Sequence, residues 1–487
     1  MIMLRKVFCH SLPALLSFAA EAATYHLTIE EKPVNFSGQP AKAIAINQQI
    51  PGPELRFQEG EHVVIKVTNR LKEETSLHWH GLITPYQMDG VPGISFNGIK
   101  PGETFTYRFP LKQNGTYWYH SHSGLQEQSG VYGSLIIEPK KKDPFEFDRD
   151  YTVLLSDWTN EDPNQVFKNL KSDGDYYKKG ETAKGGYQPD LSDVTGYTFL
   201  MNGTPPVKNW QALFKPGEKV RLRLINAASS TYFDFRIPGL TMTVVQKDGQ
   251  NITPVKVEQI HIANAETFDV IVEPLANAYT LFAEAVDRTG YARGTLTTDT
   301  ALTVIVPEIV PELDSVKKAE IAKMKPFQNQ GVTNTSGPQV KPVKRRVLHY
   351  SDIRALNSTA SEGELQELTV NLTGEMDSYS WSFNHKTYDM AKPIEFEFGK
   401  RVRVRLVNRT MMAHPIHLHG LWQKLQNGYE KEGHAPRMHT VNVPPMSERV
   451  VEIDADNPGR WAFHCHLLYH ARAGMFREIQ VRESSTE

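Results

Sequence analysis

The segment from His464 to Met475, near the C-terminus, combines residue types that bind soft or borderline metal ions. It reads HCHLLYHARAGM and holds one cysteine, three histidines and a terminal methionine. Two imidazoles, a thiolate and a weak thioether form the donor set typical of a blue copper site. On a strand, His464 and His466 would share one face and Cys465 would take the other. One short segment could therefore contact two copper sites.

Three further motifs carry histidines at the spacing that brings both rings to one face of a strand. They are His78-Trp79-His80, His120-Ser121-His122 and the stretch His414-Pro415-Ile416-His417-Leu418-His419. A single such pair arises readily by chance, whereas four in one chain form a specific pattern. Their distribution predicts a metal cluster between domains, where ligand sites commonly lie.

A ten-residue pattern that positions these motifs occurs three times. The copies run from Gly to Asn and alternate polar with apolar residues, which predicts half-buried strands. A shorter echo follows each copy, beginning at Glu103, Glu266 and Glu448. The repeats predict an all-β protein of three Greek-key β-sandwich domains. The copies are Gly60–Asn69, Gly217–Asn226 and Gly399–Asn408.

The repeats and the chain length together suggest domain bounds. At roughly 150 residues per domain, 487 residues correspond to about three domains. We place the domains at 24–143, 144–308 and 345–484. The stretch 309–344 has little periodicity and several Pro, Lys, Asn and Gly residues, which is typical of a linker.

The middle copy lacks the histidines of its neighbours. His78 and His417 both lie nine residues after the Asn that ends their repeat, and the same offset from Asn226 reaches Phe235. The segment equivalent to His120–His122 is Ala283-Glu284-Ala285. The middle domain is therefore predicted to bind no copper and to set how the outer domains meet.

The N-terminus is typical of an export signal, predicted over 1–22. Arg5-Lys6 precedes the mostly apolar stretch 7–20, and Ala20-Glu21-Ala22 offers a cleavage site. The pattern leaves both the general secretory route and a degenerate twin-arginine route open. Cleavage would remove Cys9 and leave Cys465 without a disulfide partner. A net charge of −2 gives no electrostatic case for nucleic acid or an anionic membrane as a partner.

On these motifs the chain resembles the multicopper oxidases, and most closely the periplasmic copper-resistance protein A oxidases. The resemblance covers nearly the whole predicted mature chain and is carried by HWHGLITPYQMDGVPGIS, GTYWYHSHSGLQEQSG, FDFRIPGLTMTVVQKDG and MMAHPIHLHGLW. It implies cupredoxin-like domains, four copper ions and a periplasmic location. We expect a laccase-like monomer without stable membrane insertion.

The resemblance also implies a role for each ligand. The type 1 copper would be held by His414, Cys465, His470 and the axial Met475. His78 and His417 would hold the type 2 copper. The type 3 pair would be held by His80, His120, His122, His419, His464 and His466.

The implied reaction takes one electron at a time from a reductant and reduces O2 to two waters. Phenols, aromatic amines or Cu(I) are the expected reductants, and a role in copper tolerance is expected. Electrons would pass from Cys465 to His464 and His466. By resemblance to laccases, Asp89 would lie near the cluster and help protonate reduced oxygen. A turn residue before Gly90 is the alternative interpretation of Asp89.

Two departures from the family pattern limit the resemblance. Tyr469 stands before His470, where several relatives carry an acid. The Met- and His-rich tract usual in copper-resistance oxidases is missing, and the linker holds only Met324. Thioether ligands for Cu(I) or core packing are the alternatives for Met411 and Met412. A place along the substrate approach is a weaker hypothesis for three other residues: His434, Met438 and His439.

Other functional classes remain open from the sequence. A copper-sequestering resistance protein with incidental oxidase activity is the main alternative, although the missing tract argues against it. A copper-free structural protein of the same fold conflicts with the complete ligand set. A two-domain nitrite reductase conflicts with the three repeats.

Overall fold

The computed structural model describes residues 24–178, 190–302, 304–309 and 345–482. The predicted signal peptide, Cys9 and Met324 lie outside these ranges, as does nearly all of the predicted linker. Within the described ranges, no helix has the length and apolar character needed to cross a bilayer.

The first repeat folds into two four-stranded sheets. One has the order β2-β1-β4-β6 and the other β3-β8-β7-β5. The last residue of β5 and the last residue of β7 are both predicted ligands, His80 and His120. The strands are β1 (Thr24–Val34), β2 (Ala41–Ile46), β3 (Gly52–Gln58), β4 (His62–Asn69), β5 (His78–His80), β6 (Thr104–Pro110), β7 (Gly115–His120) and β8 (Tyr132–Glu138).

The middle repeat folds into a six-stranded and a five-stranded sheet. Their orders are β10-β9-β12-β17-β14-β15 and β11-β19-β18-β13-β16. The strands are β9 (Arg149–Trp158), β10 (Thr198–Met201), β11 (Trp210–Leu213), β12 (Val220–Asn226), β13 (Phe233–Arg236), β14 (Met242–Lys247), β15 (Gln250–Val257), β16 (Gln259–Ile262), β17 (Thr267–Val272), β18 (Ala278–Ala285) and β19 (Tyr291–Thr297).

The last repeat has the same sheet sizes as the middle one. Its orders are β21-β20-β23-β28-β25-β26 and β22-β30-β29-β24-β27. The strands are β20 (Leu365–Glu375), β21 (Ser380–Phe383), β22 (Ile394–Glu397), β23 (Arg401–Asn408), β24 (His414–Leu418), β25 (Gln423–Leu425), β26 (Arg437–Met438), β27 (Thr440–Val443), β28 (Glu448–Asp454), β29 (Gly459–Cys465) and β30 (Phe476–Arg482).

Helices are few and short among the described residues. The α-helices are α1 (Pro163–Ser172) and α2 (Leu468–Arg472), and α2 lies inside the segment His464–Met475, which is predicted to bind metal. Asp162 caps α1 by accepting a hydrogen bond from the Asn164 backbone N–H. Single 3₁₀ turns occur at Tyr86–Met88, Tyr176–Lys178, Tyr350–Asp352, Tyr388–Met390 and Glu430–Glu432. The predicted all-β fold of three Greek-key sandwiches is confirmed.

The same topology explains the repeated sequence pattern. In each repeat the Gly-to-Asn segment forms the strand that pairs in parallel with the first strand: β4 with β1, β12 with β9, and β23 with β20. The terminal Asn is buried and clamps the following loop through its amide. Asn69, Asn226 and Asn408 each accept from the backbone N–H two residues on and donate to two or more carbonyls. The clamp fixes the start of β5, β13 and β24.

The middle repeat packs against both others. Gly115, which starts β7, lies so close to Gly249 that an added Cβ would be 2.2 Å from the Gly249 carbonyl oxygen. On the other side, Val347 and Ala355 form bridges to Gln259 and Ile252 of the middle sheets. The domain that lacks the histidine motifs therefore contacts chain segments on both sides of it.

Candidate metal centre

The C-terminal segment forms a compact group with the start of β24. His414, Cys465 and His470 are fully buried, and their donor atoms all lie within 4.8 Å of one another. The Cys465 Sγ is 3.6 Å from His414 Nδ1 and 3.7 Å from His470 Nδ1. Met475 is also fully buried, and its carbonyl accepts the Cys465 backbone N–H. Two imidazoles and a thiol thus converge on one point, as a mononuclear copper site requires.

The outward nitrogens of this group have fixed partners. His414 Nε2 is 2.7 Å from the Thr410 hydroxyl, and His470 Nε2 is 2.7 Å from the Asp193 carboxylate. The Tyr379 hydroxyl donates to the same Asp193 oxygen at 2.6 Å. Such partners orient an imidazole and leave its other nitrogen free for a metal. Asp193 belongs to the middle repeat, and the sequence analysis missed it.

The eight remaining predicted histidine ligands form a second group at the boundary of the first and last repeats. His78 of the first repeat stacks on His419 of the last, with ring centroids 3.8 Å apart. His80 stacks on His417 in the same way, at 3.7 Å. The two β-sandwiches therefore interleave their ligand strands, and neither contains the whole group.

The six histidines of the predicted type 3 set can be described as two neighbouring triads. His80, His120 and His466 have ring centroids 4.9–5.6 Å apart. His122, His419 and His464 have ring centroids 5.0–5.2 Å apart. The remaining two, His78 and His417, are 5.7 Å apart. Other pairs cross these sets at similar or shorter distances, such as His78 with His120 at 5.4 Å, so the eight rings form one continuous cluster.

In most of these rings one nitrogen faces away from the cluster and contacts an acceptor of the surrounding protein. Those of His78, His417 and His464 face the backbone carbonyls of Asp89, His439 and Cys465, at 2.7–2.8 Å. His419 Nδ1 is 2.8 Å from the Asp89 carboxylate, and His120 Nδ1 is 2.6 Å from the Glu127 carboxylate. His80 faces His439 and Thr440 through Nε2. The rings are therefore fixed from outside.

The inward nitrogens fit a metal. Five rings each bury a nitrogen that has no hydrogen-bond partner among the described residues: His78 Nε2, His80 Nδ1, His120 Nε2, His417 Nε2 and both nitrogens of His466. Buried polar groups are rarely left without a partner. These nitrogens therefore need a hydrogen-bond donor or a metal ion that binds their lone pairs. Metal ions bound at the centre of the group would satisfy them.

Burial sets the protonation of both groups. Desolvation lowers the pKa of most of these histidines, taking that of His464 to about 4. Neighbouring imidazoles lower the pKa of His80, His417 and His419 further. These rings are neutral at pH 7 and ready to donate lone pairs. Burial raises the pKa of the Cys465 thiol, so a bound cation has to displace its proton.

The backbone connects the two groups through one strand end. Across β24 and β29, Ile416 lies opposite Cys465, and His417 lies opposite His464. Cys465 therefore points into the mononuclear group, while its two neighbours point into the histidine cluster. In the first repeat His78 lies opposite His120 in the same way, and in the middle repeat Phe235 lies opposite Ala283. The middle repeat keeps the register and lacks the ligands.

The weaker candidates fall in different surroundings. Asp89 is buried between His78 and His419. Met412 is buried in the apolar core, whereas Met411 is half-buried. Met438 and His439 are fully buried, and His439 lies behind His80, so neither lines an open approach. The half-buried ring of His434 is held by the Ala355 carbonyl.

Sequence reasoning predicted Asp89 but missed three other carboxylates near the ligand groups. Glu127 lies in the loop after β7, and Asp193 is far from every ligand motif in the sequence. The middle repeat also supplies Asp248, which accepts hydrogen bonds from the backbone N–H groups of His439 and Thr440. The QEQ sequence beside His120–His122 offered a signal for Glu127, whereas no local pattern marked Asp193.

The fold has three β-sandwiches, and its buried histidines and cysteine gather in two groups that fit copper. Family models described as multicopper oxidase match residues 28–142, 149–304 and 364–485. The chain belongs to the multicopper oxidase family, and it is a laccase-type oxidoreductase.

Curated relatives include copper-resistance proteins. The chain is 41% identical to "Copper resistance protein A" of Escherichia coli, with 97% of this chain and 94% of that protein covered. It is 32% identical to "Multicopper oxidase MmcO" of Mycobacterium tuberculosis, with 94% and 88% covered.

Solved structures share the fold. The iron-import multicopper oxidase Fet3p superposes with a TM-score of 0.76 at 23% identity, covering 95% of this chain and 90% of that one. The laccase of Botrytis aclada superposes with a TM-score of 0.73 at 24% identity, covering 96% and 89%.

Proposed function

We propose that this oxidase holds four copper ions and uses them in copper tolerance. His414, Cys465, His470 and Met475 would hold one ion, His78 and His417 a second, and the two triads a pair. The unpartnered inward nitrogens of the cluster are the observation that carries the proposal. The similarity to copper-resistance proteins over almost the whole chain supports the biological role.

The protein's own residues would organise the chemistry. Bound copper supplies one-electron transfer and the four-electron reduction of O2 to two waters. Cys465 joins the mononuclear group to His464 and His466 through one stretch of backbone. Asp89 contacts His419 Nδ1 through its carboxylate, and this position beside the cluster supports a role in the protonation of reduced oxygen. All of the proposed ligands except the half-buried His122 are buried, which limits the contact of both groups with bulk water.

We propose Cu(I), phenols or aromatic amines as the reductants. Several relatives carry an acid at the position of Tyr469. In this chain Asp193 of the middle domain, 2.7 Å from His470 Nε2, would provide the carboxylate beside this histidine. The alternative, copper sequestration with incidental oxidase activity, requires many copper ions per chain. The Met-rich tract that would bind them is missing from the sequence.

We propose the domain bounds 24–143, 144–308 and 345–484, with the copper ligands in the first and third domains. The N-terminal sequence pattern supports export to the periplasm and removal of residues 1–22. We propose that the mature protein acts as a monomer, since each chain carries a full ligand set.

Oxygen uptake by copper-loaded protein tests the function. We expect uptake with at least one of Cu(I), Fe(II) and a methoxyphenol, in the ratio of four one-electron equivalents per O2. The copper-free protein is the matched control. Copper bound far in excess of four ions per chain, without oxygen uptake, would contradict the oxidase and favour sequestration.

A further inference from the structure

Two carboxylates stand out among the partners of the cluster histidines. His78, His417 and His464 face backbone carbonyls, whereas His419 faces Asp89 and His120 faces Glu127. His419 belongs to one triad and His120 to the other. Each triad therefore has one histidine held by a carboxylate, and only Asp89 was expected from the sequence.

Glu127 is held in place from both sides. The preceding Gln126 accepts from the Thr75 and Ser121 hydroxyls and donates to the Glu74 carbonyl. The following Gln128 donates to the Asp157 carbonyl at 3.0 Å. These contacts fix the loop, so the Glu127 carboxylate stays 2.6 Å from His120 Nδ1.

Two oxygens lie close to His120 Nδ1: the hydrogen-bonded Ser121 carbonyl and, nearer, the Glu127 carboxyl group. His120 Nδ1 is 3.1 Å from the Ser121 carbonyl oxygen, compared with 2.6 Å to Glu127 Oε2. His120, Glu127 and His466 also line an open cavity of about 540 Å³. Water in that cavity could compete for the His120 N–H if Glu127 were absent.

We propose that Glu127 is a positioning residue for one triad, and the counterpart of Asp89 in the other. By contacting Nδ1 beside the Ser121 carbonyl it would hold the Nδ1–H tautomer of His120, direct Nε2 inward and make that nitrogen a stronger donor to copper. This inference rests on the proposed function, because it assigns a role toward copper held by His80, His120 and His466.

Two substitutions test the carboxyl oxygen that contacts His120. Glu127→Gln keeps an oxygen that accepts the N–H, and Glu127→Leu removes the acceptor. Partners of this kind typically change metal affinity by about 10- to 100-fold. We expect a chelator to remove cluster copper about 10- to 100-fold faster from Glu127→Leu, with Glu127→Gln intermediate. The blue absorption of the mononuclear site should remain, which shows that the variant is folded.

Glu73→Gln is the matched control, since it removes a nearby exposed carboxylate that contacts Gln126 and no histidine. Its copper release should equal that of the wild type. Wild-type release rates in both Glu127 variants would overturn the inference while leaving the proposed function intact. If Glu127→Leu does not fold, the Glu127→Gln rate decides. A wild-type protein that holds only mononuclear copper would instead contradict the proposed function, and the inference with it.

Discussion

The first and third domains differ most informatively at one equivalent position. In the third domain His414, Cys465 and His470 converge, with donor atoms 3.2–3.7 Å apart. The first-domain residues at the same offsets are Thr75, six residues after Asn69, and Ser121 and Gln126, one and six residues after His120.

The first-domain residues also converge, and they hydrogen-bond to one another. The Thr75 hydroxyl donates to Gln126 Oε1 at 2.7 Å, and the Ser121 hydroxyl donates to the same oxygen at 3.0 Å. All three are buried. The fold therefore creates a polar site in both outer domains. In the third domain its side chains suit a metal, and in the first they satisfy each other.

The largest effect is expected when the third domain receives the first-domain residue. His470→Gln introduces glutamine, which is the residue at the equivalent first-domain position, Gln126. The substitution removes one imidazole from the mononuclear group. We expect loss of the blue absorption and a fall of oxygen uptake to the background rate, because Cys465 and His414 alone do not complete the site. Wild-type uptake in this variant would show that the mononuclear group is assigned to the wrong residues.

The copper-free protein should be sensitive to acid because its ligands are histidines. Burial lowers their pKa in the folded state, so below about pH 6.5 the unfolded chain binds more protons than the folded one. The free energy of unfolding should then fall as pH falls, by about 1.4 kcal/mol per pH unit for each extra proton.

Thermal melts of copper-free and copper-loaded protein between pH 7.5 and 5.5 measure this effect. The loaded protein should lose less stability, because bound metal competes with protons for the same nitrogens. Equal losses in both forms would show that the ligand histidines do not control the acid response.

Asp193 of the middle domain contacts the mononuclear group of the third domain. Asp193→Asn removes the charge that faces His470 Nε2. We expect copper affinity at the mononuclear site to fall about 10- to 100-fold, measured by competition with a chelator. The blue absorption should shift, while the cluster keeps its copper. Asp175→Asn is the matched control, because that exposed carboxylate contacts Lys178 and no ligand. Unchanged affinity in Asp193→Asn would remove Asp193 from the support of the site.

The smallest effect is expected in the first domain. Gln126→Leu leaves the buried hydroxyls of Thr75 and Ser121 without their shared acceptor. Each unsatisfied group should cost about 1–3 kcal/mol of unfolding free energy, measured by denaturant titration. The blue absorption of the third domain should be unchanged. A variant as stable as the wild type would show that the first-domain residues do not depend on one another.

Local periodicity made the fold and the ligand motifs predictable. Alternation in the three Gly-to-Asn segments predicted strands, and a common offset related His78 to His417. The register then placed both histidines opposite a histidine of the neighbouring strand. These features depend on residues that are close in sequence, so they can be recognised from a single sequence without an alignment.

The supporting contacts depend on residues far apart in sequence. Asp193 reaches His470 across 277 positions, and His80 meets Thr440 across 360. Such pairs are set by how the three domains pack, and no spacing rule describes that packing. The packing of the domains also explains why His439 does not line an open substrate approach. Its side chain is fully buried behind His80, where the domains meet.

Copper content and blue absorption of the wild type and Cys465→Ser test the central claim most directly. The claim is that Cys465 belongs to a mononuclear site and its two neighbours to a separate cluster. The account predicts four copper ions per chain and a blue colour in the wild type. It predicts three ions and no blue colour in Cys465→Ser, whose residue then matches Ser121. Blue absorption that survives the substitution would contradict it.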